Sequence, residues 1–181
     1  MVITKHEIAE ELAKKGEFVQ MGYLSDLLKK DTSTDAKLFI CIKLAELYEK
    51  RRLYTEAAKV HHIAAIISMK FEDKIKHHLR ETEFYIKAGN FLWADDAMKK
   101  AMSQANSSER NGIYETIKQF YLTQAEVYEK EKRRNHASKI YEKVLEMRVG
   151  DVERQRIKQR LLELYDKLGK TKEYFKLKKD N

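Results

Sequence analysis

The chain has 181 residues, about one domain's length, with 37 lysines and arginines against 29 acids for a formal charge of +8. It has no proline. At ordinary usage of roughly 5% it would hold about nine. One cysteine excludes an internal disulfide framework and a cysteine-rich zinc module, and 43% hydrophobic residues exclude wholesale disorder. Proline inside a helix costs ~3 kcal/mol, so its absence, with only six glycines, points to a chain that is nearly all helix. No apolar run approaches the ~18 residues of a membrane span. Residues 1–7 lack a signal-peptide core, so the cytoplasm is the expected compartment.

One pattern recurs along the chain: a helical stretch ending on lysine, a short turn, and a second helix with a small residue near its start. Ile8 to Lys14 runs into Gly16 and Phe18. Leu44, Ala45, Leu47, Tyr48 and Lys50 run into Arg52, Tyr54 and Ala57. Phe84, Tyr85 and Lys87 run into Gly89, Phe91 and Ala94. Ala125, Tyr128 and Lys130 run into Lys132 and Ala137. Leu161, Leu164, Tyr165 and Lys167 run into Gly169 and Thr171. The lysines at 14, 50, 87, 130 and 167 are spaced by 36, 37, 43 and 37 residues. Five helix–turn–helix units follow, approximately 2–35, 36–72, 73–107, 108–150 and 151–181, with about ten helices in one domain.

The turn slot holds Gly16, Gly89 and Gly169, each expected in the left-handed conformation that ends a helix. Arg52 and Lys132 occupy the same slot, so those turns need another conformation or accept strain. Ser33, Asn106 and Gly150 fall in cap segments before later helices. The 43-residue spacing adds about six residues near 103–111, as a longer loop or a longer helix. Ala57, Ala94 and Ala137 sit where the helices of a unit should cross closely, with Tyr48, Tyr85, Tyr128 and Tyr165 facing them. Met21 and Tyr174 replace the small residue in the end units. The short basic stretch from Thr171 to about Lys179 reads as a capping helix. Cys41 lies in an apolar stretch and is expected as a buried small hydrophobe. Burial is also the reading for Trp93, Met98, Met102 and the aromatics Tyr141, Tyr165, Tyr174 and Phe175.

Leu44, Ala45, Tyr48, Tyr54, Ala57 and Ala64 make the second unit resemble the tetratricopeptide repeat family. The likeness extends in weaker form over the whole chain, without the proline that usually ends a repeat. Units longer than the standard 34 residues look more like the soluble NSF attachment protein subgroup. The resemblance implies an all-α, right-handed solenoid whose concave face is built from the first helix of each pair and binds other proteins. Such domains are seldom catalytic. No zinc-protease, phosphate-loop, redox-pair or serine-elbow motif is present, and no cofactor is expected.

On the family's geometry the groove receives Glu10, Glu46, Glu83, Glu126 and Glu163, each followed four residues later by Lys14, Lys50, Lys87, Lys130 or Lys167. A Glu→Lys pair at that spacing stabilises an exposed helix by roughly 0.2–0.5 kcal/mol. The pattern therefore reads as helix stabilisation or as a charge ladder lining a binding groove. One turn earlier stand Ile42, Leu79 and Leu122, apolar residues suited to an amphipathic or extended peptide. Chaperone-tail binding is not expected. The slots that would hold its lysine and asparagine carry His6 and Glu10, or Ile42 and Glu46, and a glutamate repels a peptide carboxylate.

Residues 1–129 are balanced at 20 cations to 20 acids; residues 130–181 hold 17 to 9. Arg133, Arg134, Arg154, Arg156, Lys158 and Arg160 form the expected basic patch, read as a solvated face or a dock for an acidic partner. The leading expectation is a protein-binding scaffold. A nucleic-acid-binding helical repeat using the basic third, and a membrane-fusion adaptor of the attachment-protein kind, are the alternatives. His61 and His78 fall in packing slots of neighbouring helices and could meet, with a hydrogen-bonded role ahead of a zinc or pH-switch role.

Overall fold

The computed structural model describes residues 3–179. Its described residues form ten α-helices and no strand: α1 (Lys5–Ala13), α2 (Glu17–Leu28), α3 (Thr34–Lys50), α4 (Tyr54–Ile67), α5 (Phe71–Lys87), α6 (Phe91–Gln104), α7 (Ser107–Lys130), α8 (Arg134–Glu146), α9 (Asp151–Leu168) and α10 (Thr171–Lys179). Among them, no helix is long and apolar enough to cross a membrane. The extra residues near 103–111 lengthen a helix: α7 has 24 residues. The chain packs as two compact units, dividing between Ile113 and Tyr114 within α7.

Side-chain caps fix several helix starts. The Ser33 hydroxyl accepts from the Ala36 N–H at 3.2 Å. Asn106 accepts from Ser108 and Glu109 N–H at 3.0 Å, while the Glu109 carboxylate accepts from the Asn106 N–H at 2.9 Å, a reciprocal capping box.

The repeated turn is visible in its hydrogen bonds. In four of the five turns the carbonyl of the tyrosine two residues before the lysine accepts an N–H from five residues on. Leu53 donates to Tyr48, Asn90 to Tyr85 and Lys170 to Tyr165, each at 2.9 Å, and Arg133 donates to Tyr128 at 2.8 Å. This is the outer bond of a Schellman-type helix end, which places the residue before the donor in the left-handed region. Gly89 and Gly169 meet that demand with φ of 74° and 67°. Arg52 and Lys132 take it as well, with φ of 57° and 58°. Gly16 departs from expectation. It is an extended N-cap of α2 with φ −68° and ψ 155°, because α1 ends in a different turn.

A side chain in the left-handed region costs roughly 1–2 kcal/mol. Gly89→Ala is therefore expected to lower the unfolding free energy by about 1 kcal/mol through backbone strain alone, since a Cβ there meets nothing within 4 Å. Lys132→Gly is expected to raise it, by about 0.5–1 kcal/mol. Urea unfolding midpoints of the two variants should move in opposite directions.

In the first unit, α3 packs against α1, α2 and α4, α4 against α5, and α5 against α6. Ile8, Leu24, Ile40 and Leu44 make one core cluster. Ala57 and Ala94 are fully buried. Tyr85 is buried and Tyr48 is half-buried, its hydroxyl 3.2 Å from that of Ser25. In the second unit, α9 packs against α8 and α10. Ala137 is fully buried, Tyr128, Tyr141 and Tyr165 are buried, and Ile140, Val144 and Leu161 supply apolar volume.

Two aromatics expected inside lie at the surface. Trp93 is 44% exposed, its ring edge-on to Tyr85 at 5.3 Å. Phe175 is 55% exposed on α10, a helix with no buried residue. Met98 and Met102 are half-buried. Cys41 is 1% exposed, and burial pushes its thiol up to about 11, which keeps it protonated and unreactive.

Candidate functional site

Three hollows border consecutive first helices, each with a residue of a second helix in its lining. In the first unit, one of about 480 Å³ separates α3 from α5, with Leu38, Phe39 and Ile42 on one wall and Lys76, His77 and Arg80 on the other. A second, of about 310 Å³, separates α1 from α3 and is lined by Leu12, Ala13, Lys43, Leu47 and Lys50. Phe39 and Glu46 border both, so the two adjoin along α3. In the second unit a hollow of about 580 Å³ lies between α7 and α9, and its lining includes Leu122, Glu126, Lys130, Arg156 and Arg160.

Most sequence-predicted groove residues therefore reach a hollow: Ile42, Glu46 and Lys50 in the first unit, and Leu122, Glu126 and Lys130 in the second. Ile42 is 40% exposed. Leu79 is half-buried, and α5 presents Arg80 and Phe84 to the hollow instead.

The expected ladder of Glu→Lys pairs forms in part. Glu83 and Lys87 close at 2.9 Å. Lys50 bonds Glu17 of α2 at 2.9 Å, Glu46 bonds Lys43, and Lys14 bonds Glu11 at 2.7 Å. The reason is reach: a flexible lysine takes whichever carboxylate lies nearest, and a partner three residues away or on the next helix competes with one four away.

The structure adds two residues that spacing did not single out. Glu49 accepts from Lys87 Nζ at 2.8 Å and from Arg80 at 3.0 Å, and Arg80 also bonds Glu83. The Arg80 guanidinium and Lys87 ammonium lie over the Phe84 ring, at 4.6 and 5.1 Å from its centre. Burial works against the Lys87 ammonium, but the bonds to Glu49 and Glu83 outweigh it and raise its pKa. Burial likewise opposes the Glu49 carboxylate, and Lys87 and Arg80 outweigh it and lower its pKa. This network ties α3 to α5 at the wall of the hollow. The i, i+3, i+7 spacing puts Arg80, Glu83 and Lys87 on one face of α5, but nothing in the spacing marks Glu49 of α3 as their partner.

The basic residues of the last third divide among different roles. Arg156 and Arg160 line the second unit's hollow, and Arg160 lies 3.7 Å from Glu129. Arg154 donates to the Leu145 carbonyl near the end of α8 at 3.3 Å. Arg133 stacks over the Tyr128 ring at 4.4 Å. Arg134 is exposed at the start of α8, and Lys158 is half-buried.

His61 and His78 are buried, but they do not meet each other. His61 Nδ1 lies 3.2 Å from His77 Nδ1 under the first hollow, and His78 turns to Glu81 at 2.8 Å. Each residue advances the side chain by about 100° around a helix, so the α5 neighbour one position away was the one aligned. Burial first, then the charges of His77 and Arg80, against an opposing pull from Glu49, hold His61 down to about 3 from its ordinary 6.5. Burial also lowers His77.

Between pH 6.5 and 3 the unfolded chain thus binds a proton at His61 that the folded chain does not. Stability from this group is full above the unfolded value and is lost as pH falls. From pH 7 to pH 5 the loss is expected at about 2 kcal/mol for His61 alone. Urea melts across that range should show it, and His61→Leu should flatten the slope; equal slopes in the two proteins would contradict the buried neutral imidazole.

Compared with protein-family models, with curated proteins and with solved structures, the chain matches none.

Proposed function

We propose that the chain is a non-catalytic interaction module, an α-solenoid of tetratricopeptide-like repeats, that holds a peptide or helix of a partner protein against its first helices. The observation that supports this is the position of the hollows. In each unit they separate first helices, α1 from α3, α3 from α5, and α7 from α9, and their walls mix apolar residues with charges of both signs. An amphipathic segment has the same mixture, apolar side chains to pack against Ile42 in one unit's hollow or Leu122 in the other's, and charges to meet the rim. The four-fold recurrence of one turn supports the repeat reading, in which each unit presents its own first helices to a ligand.

The occupants of the basic third favour protein over nucleic acid. Arg160 and Arg133 already have acids nearby, Glu129 and Glu131, and Arg154 is engaged by a carbonyl. A phosphate backbone would have to compete with these contacts, and its binding would weaken steeply with salt.

The test is selection from a displayed library of random peptides on the immobilised full chain, with affinities of enriched sequences measured by calorimetry. The proposal expects an enriched consensus containing apolar residues at helical or alternating spacing, with modest salt dependence. Failure to enrich any sequence, together with tight salt-sensitive binding of a random-sequence single-stranded RNA, would transfer the function to the nucleic-acid alternative.

A further inference from the structure

We propose that His62, His78 and Glu81 form a binding site for one divalent transition-metal ion of the zinc class, bridging α4 to α5. The site is separate from the partner-binding hollows and stands whether or not they hold a peptide. Glu81 is 2% exposed, and two imidazoles aim the same atom type at one of its oxygens: His62 Nδ1 lies 3.2 Å and His78 Nδ1 2.8 Å from Glu81 Oε2. One donor atom from each of the three residues falls within 4.8 Å of the others.

Ligand spacing is the physical criterion. Bonds of about 2.0–2.1 Å at tetrahedral angles put donor atoms about 3.3 Å apart. The two nitrogen-to-oxygen separations already lie within about half an ångström of that value. His78 and Glu81 are three residues apart and so share one face of α5. His62 comes from the neighbouring helix, which lets one ion clamp the pair.

Two imidazole nitrogens and a carboxylate suit zinc and its first-row neighbours. Calcium and magnesium prefer sets made of oxygen alone. The side chain of His62 is 34% exposed while those of His78 and Glu81 are 9% and 3%. The ion would therefore enter past His62 and keep one position for water or a further ligand, as three-ligand zinc sites do.

The neighbouring pair His61 and His77, 3.2 Å apart at Nδ1, supplies the control. The full chain is titrated with zinc chloride by calorimetry and, separately, with cobalt(II) followed by visible absorption. The proposal expects saturation at one ion per chain, the intense bands of four-coordinate cobalt, and a zinc-dependent rise in the thermal unfolding midpoint. His62→Ala, at a partly exposed position, should weaken zinc by about tenfold or more and abolish the midpoint shift. Glu81→Gln should do the same, and His77→Ala should leave both unchanged. The absence of saturable zinc and cobalt binding by the wild-type chain would overturn the site. So would a His62→Ala chain that binds as tightly as wild type, or binding lost through His77→Ala alone.

Discussion

Phe84→Ala is expected to lower the unfolding free energy by about 3–5 kcal/mol, the range for removing a fully buried aromatic ring. Phe84 is 0% exposed. Its ring stacks with His61 at 5.5 Å and Tyr54 at 6.4 Å, and carries Arg80 and Lys87 on its face. Truncation opens a cavity among α3, α4 and α5 and also leaves two cations without the ring that fixes their positions, so the Glu49 network loosens with it. Phe84→Leu keeps most of the volume and should cost much less, about 1–1.5 kcal/mol. Denaturant titration of the two variants measures the difference. A loss below about 1 kcal/mol for the alanine variant would contradict the packing described.

Ile42→Asp is expected to cost about 1 kcal/mol of stability and to weaken a selected peptide by about thirtyfold or more, near 2 kcal/mol at an interface anchor. The two halves of this expectation follow from one fact. Ile42 is 40% exposed, so the fold covers only part of it, and it sits in the wall of the hollow between α3 and α5, where a ligand would cover the rest. Arg156→Glu makes the matching test in the second unit, because Arg156 is exposed and lines that unit's hollow. Reversing Lys87 would be a poorer test. It bonds Glu49 and Glu83, and a lost affinity would be confounded with a loosened α3–α5 contact. Calorimetric titration of each variant, beside its denaturant midpoint, separates binding from folding.

The helices and the turns between them were legible because their signals are local. Proline is absent, the tyrosine-to-lysine segments end helices, and Ser33 and Asn106 stand before helices that they cap. The left-handed turns at Arg52 and Lys132 were not legible from residue preference, which favours glycine. They follow from the whole hairpin, where the Tyr48 and Tyr128 carbonyls take the same bond that the glycine turns make. Ile42, Glu46, Lys50, Leu122, Glu126 and Lys130 line hollows; periodicity puts each set on one helix face, and it was the repeat resemblance that implied which face borders a groove. What periodicity does not contain is rotation and reach between helices. That is why His61 met His77 rather than His78, and why Lys50 bonded Glu17 rather than Glu46. It is also why Glu49 and Arg80 emerged as the bridge from α3 to α5 only in three dimensions. Trp93 and Phe175 show the same limit from the other side: an aromatic at core spacing stays at the surface when no neighbour covers its face.

The decisive measurement is amide chemical-shift mapping of the full chain with a selected peptide added to saturation. Partner capture by first helices predicts the largest shifts around Ile42, Glu46, Glu49 and Arg80 in the first unit, or around Leu122, Glu126 and Arg156 in the second, with smaller changes on α4, α6 and α8 confined to the hollow-lining His61 and Tyr141. Shifts concentrated on those second helices, with the first helices silent, would contradict it.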